Sequence, residues 1–341
     1  MFGKKQYDVI CVGSASQDIF FPTDEGVIIA TPEDVTSKEK LAFELGGKVL
    51  VADRYESVGG VAANVSQGLS LLGHKVACMS CVGGDELGKW VIKEIKERGV
   101  DTTLIKKEAE AKTDLSAIVV MTQNGERTIF HNRDANELLK VAPEDLQKTE
   151  WIFVSALNGD WKGNLRQVLK SKEEHHKKFA FNPGQHNIKE DPRLVLEALG
   201  KSDVLVLNKD EAAELILQSH YYTKDQDLNS EEFLLHSLSQ AGAKIIGMTD
   251  GKRGAWGYNG KEFWHCPIHT RKDVIDSTGA GDAFGSGFLG ALLSGASLDV
   301  ALRYGIANSG SVIGFYGCNA GLLDHKTIEK LIEKIIPEKL S

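Results

Sequence analysis

Asp276-Ser277-Thr278-Gly279-Ala280-Gly281-Asp282-Ala283-Phe284 is the stretch that decides the fold and the chemistry of this chain. Its glycines let backbone N–H groups approach an anion closely, and the apolar residues after it predict a helix that begins at the same point. An acid beside such a loop can take a proton from a hydroxyl while the loop stabilises a transferring phosphoryl group. The stretch therefore predicts a phosphate site with a carboxylate placed for proton transfer.

Two other interpretations of this loop stay open on its residues alone. A Gly-Ala-Gly before a helix is often only a tight turn, and Asp282 would then be a structural helix cap. Gly279, Gly281 and Gly285 also form a broken dinucleotide-binding pattern, but such a pattern should follow the first strand of the chain. Here it lies near the C-terminus, which makes a dehydrogenase the weaker hypothesis.

A second glycine pattern lies far upstream, in Gly59-Gly60-Val61-Ala62-Ala63-Asn64, followed by Gly73 and by Gly83-Gly84-Asp85. Together the two patterns resemble the signatures of the ribokinase-like carbohydrate kinases, the phosphofructokinase-B family, in the right order along almost the whole chain. The resemblance implies one ribokinase-like domain over residues 1–341, a three-layer α/β/α fold with a mostly parallel central sheet. It also implies a small β lid, inserted within about 20–57 and 110–133, through which a homodimer can form.

Composition restricts the class of protein. The chain has 341 residues, 42% of them hydrophobic, and no apolar run near 20 residues, so we expect no membrane contact. The net charge of −8 argues against nucleic-acid binding, and no basic segment followed by an apolar one opens the chain. Five cysteines in this length indicate reduced thiols and a cytoplasmic protein. Cys78 and Cys81 lie three apart in a predicted strand, so we expect them on opposite faces, buried and not ligating zinc.

Strands and helices alternate along the chain. The pattern predicts strands over 7–13, 76–82, 151–155, 179–182, 204–207 and 244–249, and helices over 62–72, 86–98, 164–175, 192–199, 209–218 and 230–241. Such alternation is typical of a parallel sheet covered on both faces, with ligands bound beyond the carboxyl ends of its strands. Residues 116–132 break the alternation and predict a hairpin, because Asn124-Gly125 separates two apolar runs.

The family resemblance assigns the phosphate-handling residues. Asp282 resembles the general base, and Gly279, Ala280 and Gly281 resemble the N–H donors to the γ-phosphoryl group of ATP. Asn208 and Glu211 match an N-x-x-E motif after a predicted strand, where Glu211 would orient water bound to Mg²⁺. A structural alternative has Asn208 capping a helix and Glu211 favouring its N-terminal dipole, and both roles are compatible.

The remaining nucleotide and cation residues rest on weaker motifs. Thr249, Gly251 and Gly254 resemble the family's nucleotide loop, although alone they would be an ordinary hairpin turn. Asn308 is a candidate for the adenine region. Asp276 resembles the carboxylate that holds a monovalent cation such as K⁺, but the segment Gly317-Cys318-Asn319-Ala320-Gly321 departs from the family pattern and puts this cation in doubt.

The acceptor side is assigned in the same way. Asp18 resembles the carboxylate that binds acceptor hydroxyls, with Gly59, Gly60 and Asn64 completing the pocket. A carboxylate and an amide suit a polyhydroxylated ligand, because together they can bind neighbouring hydroxyls. Arg133 follows the predicted hairpin and is either an acceptor contact or an exposed loop residue.

These residues together predict an ATP- and Mg²⁺-dependent kinase for a primary hydroxyl of a sugar or a sugar-derived molecule. A nucleoside kinase is the alternative, since aromatic residues near the lid could form a slot for a base: Phe20, Phe21, Phe43 and Phe130. Core packing explains these residues equally well. A protein that binds ligand without catalysis is a third hypothesis, which the presence of Asp282 disfavours.

Overall fold

The computed structural model describes residues 6–31, 39–51, 53–269 and 274–340. Its strands are β1 (Tyr7–Val12), β2 (Ser16–Thr23), β3 (Val27–Ala30), β4 (Glu39–Ala42), β5 (Tyr55–Gly59), β6 (Val76–Gly83), β7 (Ile105–Glu108), β8 (Leu115–Met121), β9 (Arg127–Asn132), β10 (Thr149–Val154), β11 (Lys178–Phe181), β12 (Val204–Asn208), β13 (Ile245–Thr249), β14 (Ala255–Tyr258), β15 (Phe263–Cys266) and β16 (Glu338–Lys339). Its helices are α1 (Val61–Leu71), α2 (Glu86–Glu97), α3 (Pro143–Leu146), α4 (Trp161–His175), α5 (Gln185–Glu190), α6 (Pro192–Leu199), α7 (Lys209–Leu217), α8 (Glu231–Gln240), α9 (Ala280–Leu293), α10 (Leu298–Val312) and α11 (His325–Ile332).

The main sheet runs in the order β16-β15-β14-β13-β12-β11-β10-β1-β6-β7 within the described ranges. The seven strands β7, β6, β1, β10, β11, β12 and β13 pair in parallel with their neighbours in this order. Strands β14, β15 and β16 add an antiparallel edge next to β13. The parallel sheet confirms the prediction from alternating strands and helices. The antiparallel edge was missing from that prediction, because each of its strands has only two to four residues, too few to form a recognisable pattern.

Two apolar cores lie on opposite faces of the main sheet. Ile152 and Val154 of β10 join the core under α4 to α8, while Phe153 between them joins the core under α1, α2, α9 and α10. Cys81 and Cys78 divide between the same two cores, and both thiols are buried and unpaired, as expected from their spacing. Alternation along buried strands therefore builds three layers, and the predicted α/β/α architecture is confirmed.

A separate four-stranded sheet, in the order β5-β2-β8-β9, forms the lid. Its central strand β2 begins at Ser16, earlier than the predicted insertion at about residue 20, so Asp18 belongs to the lid itself. Strands β3 and β4 form an additional two-stranded hairpin. Among the described residues, no helix is both long and apolar enough to cross a bilayer.

Candidate active site

The phosphate loop lies at the beginning of α9, with Gly279 in the position before the first helical residue. Gly279 has a φ of 77°, and a Cβ there would lie 2.6 Å from the Cβ of Cys318, so both backbone and space require glycine. A Cβ on Gly281 would meet no protein atom within 4 Å. The N–H of Ala280 donates to the carbonyl oxygen of Ser277 at 3.3 Å, whereas the N–H groups of Gly281 and Asp282 have no acceptor within the helix, and open space lies beside Gly281. This arrangement can bind an anion.

Asp276 fixes the shape of the loop before the helix. Its Oδ1 accepts hydrogen bonds from the backbone N–H of Thr278 at 2.9 Å and from the hydroxyl of Thr278 at 2.7 Å. Its Oδ2 accepts from the N–H of Gly317 at 3.4 Å. The side chain is fully buried, and no salt bridge to it occurs within the described ranges. Asp276 therefore joins the phosphate loop to the segment around Gly317.

Asp282 lies in the first turn of α9, beside the anion-binding N–H groups. Its Oδ2 accepts a hydrogen bond of 2.8 Å from the side-chain amide of Asn64. Burial raises the pKa of Asp282 to about 6, the Asn64 hydrogen bond opposes this shift, and the nearby charge of Asp18 adds to it. The carboxylate is mostly ionised at neutral pH, with a pKa close enough to neutrality for proton transfer.

Asp18, the candidate acceptor-binding carboxylate, lies on lid strand β2. It is buried, and burial raises its pKa to about 6, while hydrogen bonding from Ser116 and Cys318 opposes the shift. A Cβ on Gly59 would lie 2.2 Å from Oδ1 of Asp18, so glycine makes room for this carboxylate. Gly60 has a φ of 90°, and a Cβ there would lie 2.5 Å from the carbonyl oxygen of Ser14.

A row of polar side chains crosses the lid at the level of Asp18. Ser57, Asp18, Ser116 and His131 are paired neighbours on β5, β2, β8 and β9, so they share one face of the lid. The hydroxyl of Ser116 and Nδ1 of His131 are 3.0 Å apart. Loss of solvent contact, and then the charge of Arg133, lowers the pKa of His131. Arg133 follows β9 and is exposed near this row.

Arg127 connects the far end of the lid to the phosphate loop. Its Nη1 donates a hydrogen bond to the hydroxyl of Ser277, and its Nε is buried without a partner among the described residues. A Cβ on Gly125, in the hairpin loop, would lie 3.3 Å from the carbonyl oxygens of Val274 and Ile275. The lid therefore contacts the loop that leads into α9.

Asn208 and Glu211 form a reciprocal helix cap at the beginning of α7. Asn208 Oδ1 accepts from the N–H of Glu211 at 2.9 Å, and Glu211 Oε2 accepts from the N–H of Asn208 at 3.0 Å. The capping role is thus confirmed. Burial raises the pKa of Glu211, the hydrogen bond from Asn208 opposes the shift, and the charge of Asp282 adds to it. Oε1 of Glu211 is not used by the cap.

The segment from Thr249 to Gly254 lies beside Asn208, because Thr249 and Asn208 are paired on β13 and β12. It connects the antiparallel strands β13 and β14 through a turn of 3₁₀ helix, so it is a hairpin turn as well as a candidate nucleotide loop. Gly251 has a φ of 46°. Gly254 has a φ of 93°, and a Cβ there would lie 2.2 Å from the carbonyl oxygen of Cys266.

Asn308 does not lie where the nucleotide prediction requires it. The residue is fully buried between α9 and α10, where its Nδ2 donates to the carbonyl of Ala283 and to the hydroxyl of Ser286, both at 3.0 Å. Its Oδ1 accepts from the N–H of Leu323 at 3.0 Å. With its amide engaged inside the helix pair, Asn308 has a packing role in this structure and no free polar atom for adenine.

The aromatic residues considered for a base slot are scattered. Phe20 is fully buried in a small core with Ile118 and Val120. Phe130 pairs with Ala117, one position away from the row that contains Asp18, so its side chain lies on the outer face of the lid and is 61% exposed. Phe43 is exposed after β4. These phenylalanines do not form a slot over Asp18.

Several residues of the site were not found from the sequence. They are Ser116, Arg127, His131, Cys318 and Asn319. Cys318 Sγ lies 3.7 Å from Oδ2 of Asp18, and the Asn319 amide lies 3.1 Å from Oδ1 of Asn64. For Cys318 and Asn319, the sequence offers one signal, which is the departure of residues 317–321 from the family pattern. That departure bears on the monovalent cation at Asp276 and does not indicate contacts with Asp18 or Asn64.

The fold has three layers, with a mostly parallel sheet between two layers of helices and a separate β lid. Together with the glycine-rich helix start and the carboxylates Asp18 and Asp282, this fold is typical of a small-molecule kinase. The chain belongs to the pfkB family of carbohydrate kinases, whose family model matches residues 8–325.

The chain is 27% identical to an ATP-dependent 6-phosphofructokinase of Thermoanaerobacterium thermosaccharolyticum, over 98% of this chain and 96% of that protein. It is 25% identical to a nucleoside kinase of Methanocaldococcus jannaschii, over 98% of both chains. Arabidopsis thaliana ribokinase, solved with ribose and ATP, has the same fold, with a TM-score of 0.77, 19% identity and coverage of 96% of this chain and 99% of that one. The chain is therefore a phosphotransferase with an alcohol group as acceptor and ATP as co-substrate, and its fold is ribokinase-like.

Proposed function

We propose that this enzyme transfers the γ-phosphoryl group of ATP to a primary hydroxyl of a sugar or a sugar-derived small molecule. The observation that carries the proposal is the position of Asp282. It lies beside the open N–H groups of the α9 start and is hydrogen-bonded to Asn64, while its pKa also responds to Asp18 across the site. A proton acceptor, an anion site and an acceptor-binding carboxylate thus surround one space.

The chemistry assigned to these residues is direct phosphoryl transfer. Asp18 accepts hydrogen bonds from acceptor hydroxyls, and Asp282 takes the proton of the hydroxyl that reacts. That oxygen forms a bond to the γ-phosphorus, and the bond from phosphorus to the β,γ-bridging oxygen breaks, with its electron pair leaving on ADP. The N–H groups of Gly279, Ala280 and Gly281 stabilise the charge on the transferring group, which is the largest demand of this reaction.

Two cations belong to the proposal. Mg²⁺ neutralises charge on the phosphates when it is bound, and Oε1 of Glu211, which the helix cap leaves unused, fits the hard oxygen groups that orient magnesium-bound water. K⁺ would be held by Asp276, whose buried charge lacks a salt bridge within the described ranges. Such a charge is usually compensated, which supports a cation next to it.

The polar row on the lid favours a sugar or a sugar acid. Ser57, Ser116 and His131 extend the polar face from Asp18, and they can bind a polyol through several hydroxyls. Arg133, exposed next to this face, would bind a carboxylate. A nucleoside remains the second candidate because Tyr55 and Tyr316 stack at 4.5 Å and border a cavity of about 420 Å³.

Acceptor identity is tested by measuring ADP formation with pentoses, hexoses, sugar acids and nucleosides. We expect the highest kcat/KM for a sugar or sugar acid, loss of activity with EDTA, and higher activity in K⁺ than in a large organic cation. A nucleoside that exceeds every sugar more than tenfold would select the second candidate. Activity that is the same in K⁺ and in the organic cation would remove K⁺ and leave the kinase assignment intact.

The lid also supports a homodimer in a reducing compartment such as the cytoplasm. Val27, Ile28 and Ile29 of β3 are exposed, as is Phe130 on the outer face of β9, and such apolar surfaces favour association. The five unpaired, buried cysteines agree with reducing conditions. Light scattering on the purified protein tests the dimer, and Phe130→Ser should shift the measured mass towards a monomer.

A further inference from the structure

We propose that Asn319 is a positioning residue for the general base, acting on Asp282 through the side-chain amide of Asn64. This inference rests on the proposed role of Asp282 as proton acceptor. It adds a function for the segment Gly317-Cys318-Asn319, which departs from the family pattern.

A chain of hydrogen bonds joins the three side chains. Asn319 Nδ2 donates to the carbonyl oxygen of Val58 at 2.8 Å and to Oδ1 of Asn64 at 3.1 Å. Asn64 Nδ2 in turn donates to Oδ2 of Asp282 at 2.8 Å. Both asparagines are 4% exposed, so water does not compete freely for these bonds.

The two ends of this chain fix the direction of every hydrogen bond in it. The carbonyl of Val58 can only accept, so the atom of Asn319 that faces it must be the NH₂ group. The ionised carboxylate of Asp282 can also only accept, so the NH₂ group of Asn64 must face Asp282. The Oδ1 of Asn64 is then left to accept from Asn319, as observed. The orientation of both side-chain amides therefore follows from the acceptors that they face.

Asn319 acts here only as a donor. Its Oδ1 is buried and has no hydrogen-bond partner among the described residues, so both of its hydrogen bonds are made by Nδ2. Its neighbours hold the backbone in place, because the N–H of Gly317 donates to Asp276 and the thiol of Cys318 faces Asp18. Three successive residues of this segment therefore contact different parts of the candidate site. Gly317 contacts Asp276, Cys318 contacts Asp18, and Asn319 is connected to Asp282 through Asn64.

Two consequences follow for the base. Donation from Asn64 stabilises the charged form of Asp282 and occupies Oδ2, which leaves Oδ1 for the acceptor hydroxyl. Without Asn319, the amide of Asn64 is free to turn its oxygen towards the carboxylate. The two oxygens would then repel each other, and the base would need a higher pH to ionise.

The test is the acid limb of the kcat/KM profile in a double-mutant cycle. We expect Asn319→Ala to move this limb to higher pH by about 0.5 to 1 unit, with a lower kcat and an unchanged KM for ATP. Asn64→Ala should give a larger shift, and Asn319→Ala should add nothing in the Asn64→Ala background. Asn319→Ser, which keeps a donor, should recover part of the parent profile, and Asn319→Leu, which has no donor and a similar size, replaces Asn319→Ala in the cycle if that variant does not fold.

Asn187→Ala is the matched control, since Asn187 is also a buried asparagine, with its amide bonded to the backbone of Leu157. We expect it to lower stability and leave the acid limb in place. An unshifted limb in Asn319→Ala, or an effect that adds fully to that of Asn64→Ala, would overturn the positioning role. Full turnover in Asp282→Asn would instead overturn the proposed base.

Discussion

The carboxylate of Asp18 lies against the α-carbon of Gly59, so that a Cβ there would come within 2.2 Å of Oδ1. Asp18 is on the central strand of the lid, and Gly59 ends the neighbouring strand just before α1. The first glycine signature therefore shapes the space for an acid that lies more than 40 positions earlier in the chain. This relationship leads directly to a test of the acceptor site.

Gly59→Ala should remove most acceptor binding, because the added methyl group displaces the Asp18 carboxylate. We expect kcat/KM for the acceptor to fall by about 10²-fold, while the KM for ATP changes little. The control is Gly285→Ala in α9, where a Cβ would make an ordinary contact of 3.7 Å with Val206. That variant should be as active as the parent and more stable by about 0.5–1 kcal/mol. Equal acceptor KM in Gly59→Ala and parent would contradict the prediction.

Asp282→Asn should preserve the fold and ATP binding while turnover falls by about 10²–10⁴-fold. The two side chains are nearly isosteric, but the amide cannot accept the proton of the acceptor. Steady-state kinetics and a fluorescent ATP analogue measure the two properties separately. Turnover within about threefold of the parent would show that another group is the base.

Asp18→Asn should stabilise the protein at pH 8 and have little effect at pH 4. The pKa of Asp18 rises from its ordinary value of 3.8 in the unfolded chain to about 6 in the folded protein. Between these values the folded state binds more protons, so the contribution of Asp18 to stability decreases as pH rises through this window. Thermal unfolding at both pH values measures the difference. A lower melting temperature at pH 8 than for the parent would contradict the prediction.

Arg127→Ala should weaken lid closure, because the hydrogen bond to Ser277 is lost. We expect kcat/KM for the acceptor to fall about tenfold, and the ratio of ATP hydrolysis to transfer to rise as water enters. Arg127→Lys should recover little, since an ammonium group lacks the planar fork of arginine. Arg193→Ala, on the exposed surface of α6, is the control and should leave the ratio unchanged.

The parallel sheet could be predicted because its strands are local apolar runs separated by amphipathic helices. The position of Asp282 and Gly279 at the beginning of a helix could be predicted, because a glycine-rich loop and the helix that follows it are contiguous in sequence. Which residues lie opposite each other across the lid depends on strand register, which the loop length decides. A two-residue turn at Asn124-Gly125 would pair Ser116 with Arg133, whereas the observed pairing brings His131 opposite Ser116.

Contacts made across long separations were not predictable in the same way. Asn64 and Asn319 are 255 positions apart, and no local pattern indicates that their amides meet. Asn308 shows the opposite case, since a polar residue on a helix suggests a ligand contact, whereas its side chain is fully buried. Its amide is used to join α9, α10 and the chain at Leu323. A buried helix pair satisfies its own polar groups, and sequence alone does not show which face is buried.

Because Asp18 is part of the lid sheet, any opening of the lid would also move the proposed acceptor carboxylate. A molecule whose lid is closed for only a tenth of the time would bind the acceptor about tenfold more weakly than its contacts allow. Substitutions far from the sugar, at the Arg127 end of the lid, can then change which acceptors are used at a given concentration. If the lid opens, the apparent affinity for the acceptor would therefore depend on the fraction of time for which the lid is closed.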